Sequence, residues 1–225
     1  MEKKIHEGHR KRVKSRYIAE GLDHFEDHEV LELLLFYCIP MKDTNKLAHG
    51  MINEFGSLAS IFEADPKDIS RRCGVSENTA ILLSLIPPVS RRYLQRKWGD
   101  KPMLNSSSLA GEYAVSLFVG RIYEAFYLIC LDAQNRINNA ALVHEGTINE
   151  SSVYPRLIVE TALRYQANSV ILAHNHPGGT MQPSQADLEV TRKISAALAA
   201  ISINVSDHII VAGERYFSFA ENGLL

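Results

Sequence analysis

The chain has 225 residues, a formal net charge of −2 and 46% hydrophobic residues. These values are ordinary for a globular protein of one or two domains, and they exclude a strong overall attraction to nucleic acid or membranes. The three cysteines lie far apart and the N-terminus has no secretory apolar segment, so we expect reduced thiols, a cytoplasmic location and no disulfide framework.

The first sixteen residues form a basic N-terminal arm. Lysines and arginines outnumber glutamates there, and Arg10, Lys11 and Arg12 are candidates for contact with the phosphates of nucleic acid. The alternative is a solvated helix end, because runs of charge are common at chain termini. The sequence leaves both interpretations open.

A series of helices follows this arm. Apolar periodicity and capping residues predict helices at 26–37, 44–54, 57–64, 66–72 and 76–86. Gly74-Val75-Ser76 resembles the turn of a helix-hairpin-helix module, which presents backbone amides to DNA phosphates, so Gly74 is a candidate DNA contact. Ser76 stands where that turn usually has a second glycine. A helical bundle used for packing or dimer contacts is the alternative.

We expect two domains, a helical one at 1–100 and a second one at 104–225. Pro87-Pro88 should interrupt or kink the last helix of the first domain, because proline lacks an amide donor and clashes with the preceding turn. The segment from Trp98 to Ser108 is rich in glycine, proline and serine and is typical of a linker. We therefore place the boundary at 100–105.

Helices and strands are mixed beyond this linker. The patterns predict helices at 108–118, 154–167 and 185–200, and strands at 125–131, 136–148, 169–173, 204–211 and 215–218. The first two strands flank a turn at 132–135 and should pair in antiparallel fashion. The expected fold class is α/β, a sandwich of helices on a mainly antiparallel sheet.

The end of the strand at 169–173 carries two histidines. If the strand continues, the spacing of His174 and His176 places both imidazoles on one face of the sheet. Ser184 is the N-cap of the next helix, and Asp187 lies in its first turn. Two imidazoles and a carboxylate are a ligand set for a catalytic zinc site with a position left for water. A plain capping box of Ser184 and Asp187 is the alternative interpretation.

The pattern His174-Asn-His176-Pro177, followed by Ser184-x-x-Asp187, resembles the signature of the JAB/MPN+ (JAMM) metalloproteases. The wider text is similar to the RadC branch of that family, with segments that agree at 146–149, 152–156, 207–211 and 217–225. Gly178 departs from the serine that RadC-like sequences often carry. The resemblance implies a cytidine-deaminase-like MPN sandwich, preceded by a small all-α helix-hairpin-helix-like domain. Deamination itself is excluded, since Pro-Cys-x-x-Cys is absent and residues 104–225 contain no His-x-Glu.

The resemblance also implies the activity of a zinc-dependent metallopeptidase or isopeptidase. In that family Zn²⁺ is held by residues that correspond to His174, His176 and Asp187. Glu124 matches the general base that takes a proton from the water, and Glu145 is the competing candidate. Ser184, by the same analogy, donates a hydrogen bond to the developing oxyanion while it accepts one from a helix amide.

The remaining expectations concern neighbours and partners. For Asn175 and His208 we expect hydrogen bonds within the core or loops in preference to contact with the ligands. The expected partners are a peptide or isopeptide-linked protein substrate, with DNA and a second copy of the chain as further candidates. The alternative function is a DNA-associated module, linked to repair or recombination, that binds nucleic acid non-specifically through the helical domain. A two-metal nuclease fits less well, because it needs additional carboxylates.

Overall fold

The structure, a computed structural model, describes residues 2–40, 42–146 and 155–225, with the backbone alone for residues 2–7. The chain divides into two compact units, residues 1–89 and 90–225. The boundary predicted at 100–105 lies within the second unit and stays a prediction. The predicted strand end at 147–148, the predicted helix start at 154, and most of the family-like segments at 146–149 and 152–156 lie outside the described residues.

The described part of the first unit is helical. Its helices are α1 (Glu2–Glu20), α2 (Asp27–Cys38), α3 (Asn45–Phe55), α4 (Leu58–Glu63), α5 (Pro66–Cys73) and α6 (Glu77–Lys97), which continues into the second unit. Local capping chemistry sets these bounds: Asp65 accepts from the amide of Lys67 at the start of α5, and Gly74 ends that helix in the left-handed conformation. Leu31 of α2 and Met51 of α3 lie at the centre of the core.

Helix α6 does not stop at Pro87-Pro88, so the predicted interruption is wrong. Proline lacks an amide donor, but its fixed φ of about −65° is close to the helical value. The backbone therefore keeps helical geometry as far as Lys97, without the hydrogen bonds that these two amides would have donated. The division between the compact units falls immediately afterwards, between Val89 and Ser90.

The described part of the second unit contains a five-stranded sheet. Its strands are β1 (Ala125–Leu131), β2 (Ile137–Glu145), β3 (Ser169–Asn175), β4 (Asn204–Ala212) and β5 (Arg215–Ser218), and its helices are α7 (Ser107–Phe118), α8 (Pro155–Arg164) and α9 (Gln185–Ala199). The strand order is β2-β1-β3-β4-β5. Neighbouring strands are antiparallel except β3 and β4, which are parallel and are joined through α9. The expected mixed α/β fold with a mainly antiparallel sheet is confirmed.

The two faces of the sheet bury different side chains, because successive residues of a strand point to opposite sides. In β1, Tyr127 and Ile129 pack with α7, whereas Phe126 and Leu128 pack with α8 and α9. Every residue of β1 and of β3 is buried. Helices on both faces explain why β1 is apolar throughout and β3 is apolar from Val170 to Ala173, without alternating polar residues.

None of the three cysteines forms a disulfide. Each of Cys38, Cys73 and Cys130 has a free thiol. Burial raises the pKa of the Cys130 thiol to about 11, so this group is protonated and unreactive at neutral pH.

Among the residues that the structure describes, no helix combines the length and the apolar character needed to cross a membrane.

Gly111 of α7 lies against the ring of Tyr216 in β5. A Cβ atom on Gly111 would come within 2.4 Å of that ring. We expect Gly111→Ala to lower the free energy of unfolding by about 1–3 kcal/mol, as overpacking does. Gly50→Ala in α3 is the matched control, because nothing lies within 4 Å of its added Cβ. This change should raise stability by about 0.5–1 kcal/mol. Denaturant unfolding measures both, and a neutral Gly111→Ala would contradict the packing.

Candidate metal centre

Two histidines lie at the end of the central strand β3. The strand ends at Asn175, yet the amide of His176 still donates to the carbonyl of Val211 at 2.8 Å, so the extended pairing with β4 continues for one more residue. His174 and His176 therefore point to the same side of the sheet. Their Nε2 atoms lie 2.9 Å apart.

The third member of the cluster is Asp187, in the first turn of α9. Its Oδ1 lies 3.0 Å from Nε2 of His174, and its Oδ2 lies 3.6 Å from Nε2 of His176. Oδ2 also accepts hydrogen bonds from the amide and the hydroxyl of Ser184, at 2.7 and 2.6 Å. The Ser184 oxygen accepts from the amide of Asp187 in return, which completes a capping box. One carboxylate thus serves both the helix cap and the histidine cluster.

The donor set of this cluster fits a divalent metal. One ligand atom from each of His174, His176 and Asp187 lies within 4.8 Å of the other two. Nδ1 of His176 lies 2.7 Å from the carbonyl oxygen of Thr180. Because a carbonyl can only accept, Nδ1 carries the proton and Nε2 presents its lone pair to the cluster. Zinc accepts imidazole nitrogen and carboxylate oxygen, and three such ligands leave a fourth position open.

The surroundings keep the ligands in forms that bind a metal. Burial acts to raise the pKa of Asp187, but the hydrogen bonds from His174 and Ser184 outweigh it and hold the pKa well below its usual value. Burial lowers the pKa of His174, and the neighbouring Asp187 offsets only part of that effect. At neutral pH Asp187 is therefore a carboxylate and His174 is neutral, as metal binding requires.

A cleft of about 340 Å³ opens over the cluster. Glu124, directly before β1, lines this cleft together with the three ligands, and its negative charge acts to raise the pKa of His174. Glu145, at the end of β2, instead accepts a hydrogen bond from Arg121 at 2.5 Å and is half exposed. Of the two candidate carboxylates, the structure places Glu124 beside the cluster.

Asn175 holds the segment that carries Glu124. Its Oδ1 accepts from the amide of Ala125 at 2.7 Å, and its Nδ2 donates to the carbonyl of Tyr123 at 3.1 Å. These two residues flank Glu124 in the sequence, so one buried side-chain amide fixes the backbone on both sides of the carboxylate. The expected loop hydrogen bonding of Asn175 is confirmed.

Comparison with known proteins shows the family of this chain. A family model, the RadC-like JAB domain, matches residues 104–224. The chain belongs to the RadC-like JAB family. A UPF0758 protein of Fusobacterium nucleatum is 34% identical over 232 residues, which cover 100% of both chains. UPF0758 proteins of Janthinobacterium sp. (strain Marseille) and Pseudoalteromonas translucida are 38% and 36% identical over 95% of this chain and 96% of theirs.

The names of these RadC-like relatives state no activity, so the chemistry must come from the family and the site. The JAB domain and the cluster of His174, His176 and Asp187 together suggest a metal-dependent hydrolase. Ser184 and Glu124 lie at the same cleft as these three residues. The five residues that the sequence singles out for catalysis and metal binding are thus brought together by the fold.

The site also includes His208 and Thr191, which were not predicted from the sequence to belong to it. His208 of β4 has Nε2 at 2.8 Å from Nδ1 of His174, and Nδ1 at 2.6 Å from Oγ1 of Thr191. The expectation of core or loop bonding in preference to ligand contact is wrong for His208. Thr191 could have been found, because it follows Asp187 by four residues and so shares its face of α9. His208 required knowledge of the parallel pairing of β3 and β4.

The candidates for nucleic-acid contact lie in the first unit. Arg10 donates hydrogen bonds to three carbonyls in the last turn of α2 and just beyond it, so its guanidinium stabilises that helix end. Lys11 and Arg12 are exposed on α1. The amide of Gly74 donates to a carbonyl of α5. For all four residues, contact with DNA stays a prediction.

We expect Asn175→Leu to lower the stability of the second unit by about 1–3 kcal/mol, because it leaves the buried amide of Ala125 without an acceptor. Asn138→Leu is the matched control, since Asn138 is half-buried and also donates to loop carbonyls, at 3.2 and 3.3 Å. The loss of stability in Asn138→Leu should be smaller, because water reaches those carbonyls. The fluorescence of Trp98, the single tryptophan, follows unfolding of this unit, and equal losses would contradict a special role for Asn175.

Proposed function

We propose that the protein is a zinc-dependent amide hydrolase of the metallopeptidase or isopeptidase type. The observation that carries this proposal is the convergence of His174, His176 and Asp187 at a cleft that Glu124 also lines. Membership of the RadC-like JAB family supports metal-dependent hydrolysis. The choice of zinc rests on the imidazole ligands, because magnesium and calcium prefer oxygen ligands throughout.

The proposed mechanism divides the work between the metal and the side chains. His174, His176 and Asp187 would hold the zinc, which would act as a Lewis acid that lowers the pKa of water and polarises a carbonyl. Glu124 accepts the proton of the attacking water and returns it to the leaving amine, so the amide bond is replaced by a carboxylic acid and an amine. Asn175 keeps the Glu124 carboxylate at the cleft by fixing the backbone on both sides of it.

Ser184 is the proposed hydrogen-bond donor to the developing oxyanion. Its hydroxyl proton is donated to Oδ2 of Asp187, so the hydroxyl must rotate before it can serve a substrate. The amide of Ser184 bonds to the same carboxylate oxygen at 2.7 Å and would keep Asp187 oriented during that rotation. A donor of this kind contributes about 2.7–4 kcal/mol to stabilisation of the transition state.

The proposed substrate class is inferred from the family, because the shape of the cleft does not define a particular substrate. We propose a peptide or an isopeptide-linked protein, since the JAB family implies amide hydrolysis and the cleft is open to solvent at Ser184. A DNA-associated role for the helix-hairpin-helix-like first unit stays a prediction. Arg10 and the Gly74 amide are engaged with the carbonyl groups of the protein itself, and this does not favour that role.

The metal site is tested by zinc content. We expect about one zinc per chain after reconstitution and dialysis, because the three ligands form one site. The double variant His174→Ala, Asp187→Ala should lose this zinc while circular dichroism shows an intact fold. His49→Ala, which removes an exposed histidine of α3, is the control and should keep the metal. A wild-type protein that binds no divalent metal would overturn the proposal.

The general base is tested with isosteric amides. Glu124→Gln should keep zinc and lower the rate of hydrolysis by about 10²–10⁴-fold, because the proton acceptor is removed. Glu145→Gln should retain both, since its carboxylate pairs with Arg121. A panel of peptide and isopeptide substrates supplies the assay. Loss of activity in Glu145→Gln with retention in Glu124→Gln would reverse the assignment.

A further inference from the structure

A buried chain of hydrogen bonds runs beneath the metal centre. It begins at the backbone carbonyl of Asp187, passes through the hydroxyl of Thr191 and the ring of His208, and ends at Nδ1 of His174. Successive polar atoms lie 2.5, 2.6 and 2.8 Å apart. Thr191, His208 and His174 are each at most 3% exposed, so water does not compete for these bonds.

Elementary hydrogen-bond chemistry gives this chain a single direction. The carbonyl oxygen of Asp187 can only accept, so Thr191 gives its one hydroxyl proton to that oxygen. The Thr191 oxygen must then accept from Nδ1 of His208. When Nε2 of His174 binds a cation, the proton of its neutral ring sits on Nδ1, and Nε2 of His208 is the acceptor. Every donor in the chain is then satisfied.

The ring of His208 is held from its other side as well. It packs against the rings of Phe219 and Phe126, with centroids 4.6 and 5.8 Å away. The buried carboxylate of Asp207 accepts from the amide of His208 at 2.7 Å and from the hydroxyl of Ser218 at 2.6 Å. These bonds link β4 to β5 at the backbone position of His208.

We propose that Thr191 and His208 are positioning residues that fix the tautomer and the ring orientation of His174. This inference rests on the proposed metal site. A histidine ligand usually donates its second ring proton to an acceptor, and such a partner contributes about 10–100-fold to metal affinity. Here the acceptor is a second neutral imidazole, which adds no net charge beneath the cluster.

This series of hydrogen bonds also connects two of the proposed ligands, Asp187 and His174. It starts at the backbone of Asp187 on α9 and ends at His174 on β3, so it sets the distance between the helix start and the strand end. His176 lies outside it, because its ring is oriented by the carbonyl of Thr180. A break at Thr191 therefore acts on two of the three ligands and leaves the third oriented.

The test is a set of threonine substitutions in the full-length protein. Thr191→Val keeps the branched shape and removes the hydroxyl, Thr191→Ser restores the hydroxyl, and Thr161→Val changes a buried threonine of α8 in the same way. Zinc affinity is measured by competition with a chromophoric chelator at fixed pH. We expect binding about 10–100-fold weaker in Thr191→Val, and near wild-type affinity in the other two variants.

A second readout separates positioning from packing. NMR of the zinc-loaded protein with ¹⁵N-labelled histidine reports which ring nitrogen carries the proton. His174 and His208 should both carry it on Nδ1, and Thr191→Val should disturb the pattern of His208. A role in packing alone would lower the stability of the metal-free variant to the same extent as Thr161→Val, without a change in zinc affinity or tautomer.

The outcomes distinguish this inference from the proposed function. Equal zinc affinity in the wild type and Thr191→Val would overturn the positioning role and leave the metal site intact. A proton on Nε2 of His208 in the zinc-loaded wild type would overturn it as well. If the wild type binds no zinc at all, the proposed function fails, and the positioning role fails with it.

Discussion

The site depends on one carboxylate that performs two tasks. Oδ2 of Asp187 bonds to the amide and hydroxyl of Ser184 at the start of α9, while Oδ1 faces Nε2 of His174. A negative charge is favourable at a helix N-terminus, and the low pKa of Asp187 agrees with that placement. The carboxylate of Asp187 is therefore positioned by the beginning of a helix and not by a flexible side chain alone, and the helix start is stabilised by the same group.

The strand β3 organises the remaining groups through its two-residue period. His174 and His176 face the cluster, while Asn175 between them holds the segment that carries Glu124. The parallel neighbour β4 then places His208 against His174. Ligands, proposed base and supporting hydrogen bonds therefore all depend on the pairing of one strand end. A change in register here would displace every group at once, since the side-chain period of a strand is two.

Several charged residues of the first unit form hydrogen bonds or ion pairs within it. Arg10 bonds to carbonyls near the end of α2, and Arg72 pairs with Glu54 at 2.8 Å. Glu32, on the otherwise apolar face of α2, is 1% exposed and lies 3.1 Å from both His9 and Asn45. The basic character of the N-terminal sequence thus overstates the free charge on its surface, because a run of cations does not reveal which of them find acceptors in the fold.

The sequence by itself predicted most of the helices and strands and the candidate metal-binding residues, because strand period, helix caps and the spacing of His174, His176 and Asp187 are local properties. The prediction from the sequence was wrong at Pro87-Pro88, where the helix continues. Proline there has a φ close to the helical value, although its two missing amides cannot donate hydrogen bonds. Only the tertiary structure decided that Glu124 and not Glu145 lies at the cleft, and that His208 contacts His174. These facts depend on which strands pair and in what register, and on ion pairs between residues far apart in the chain.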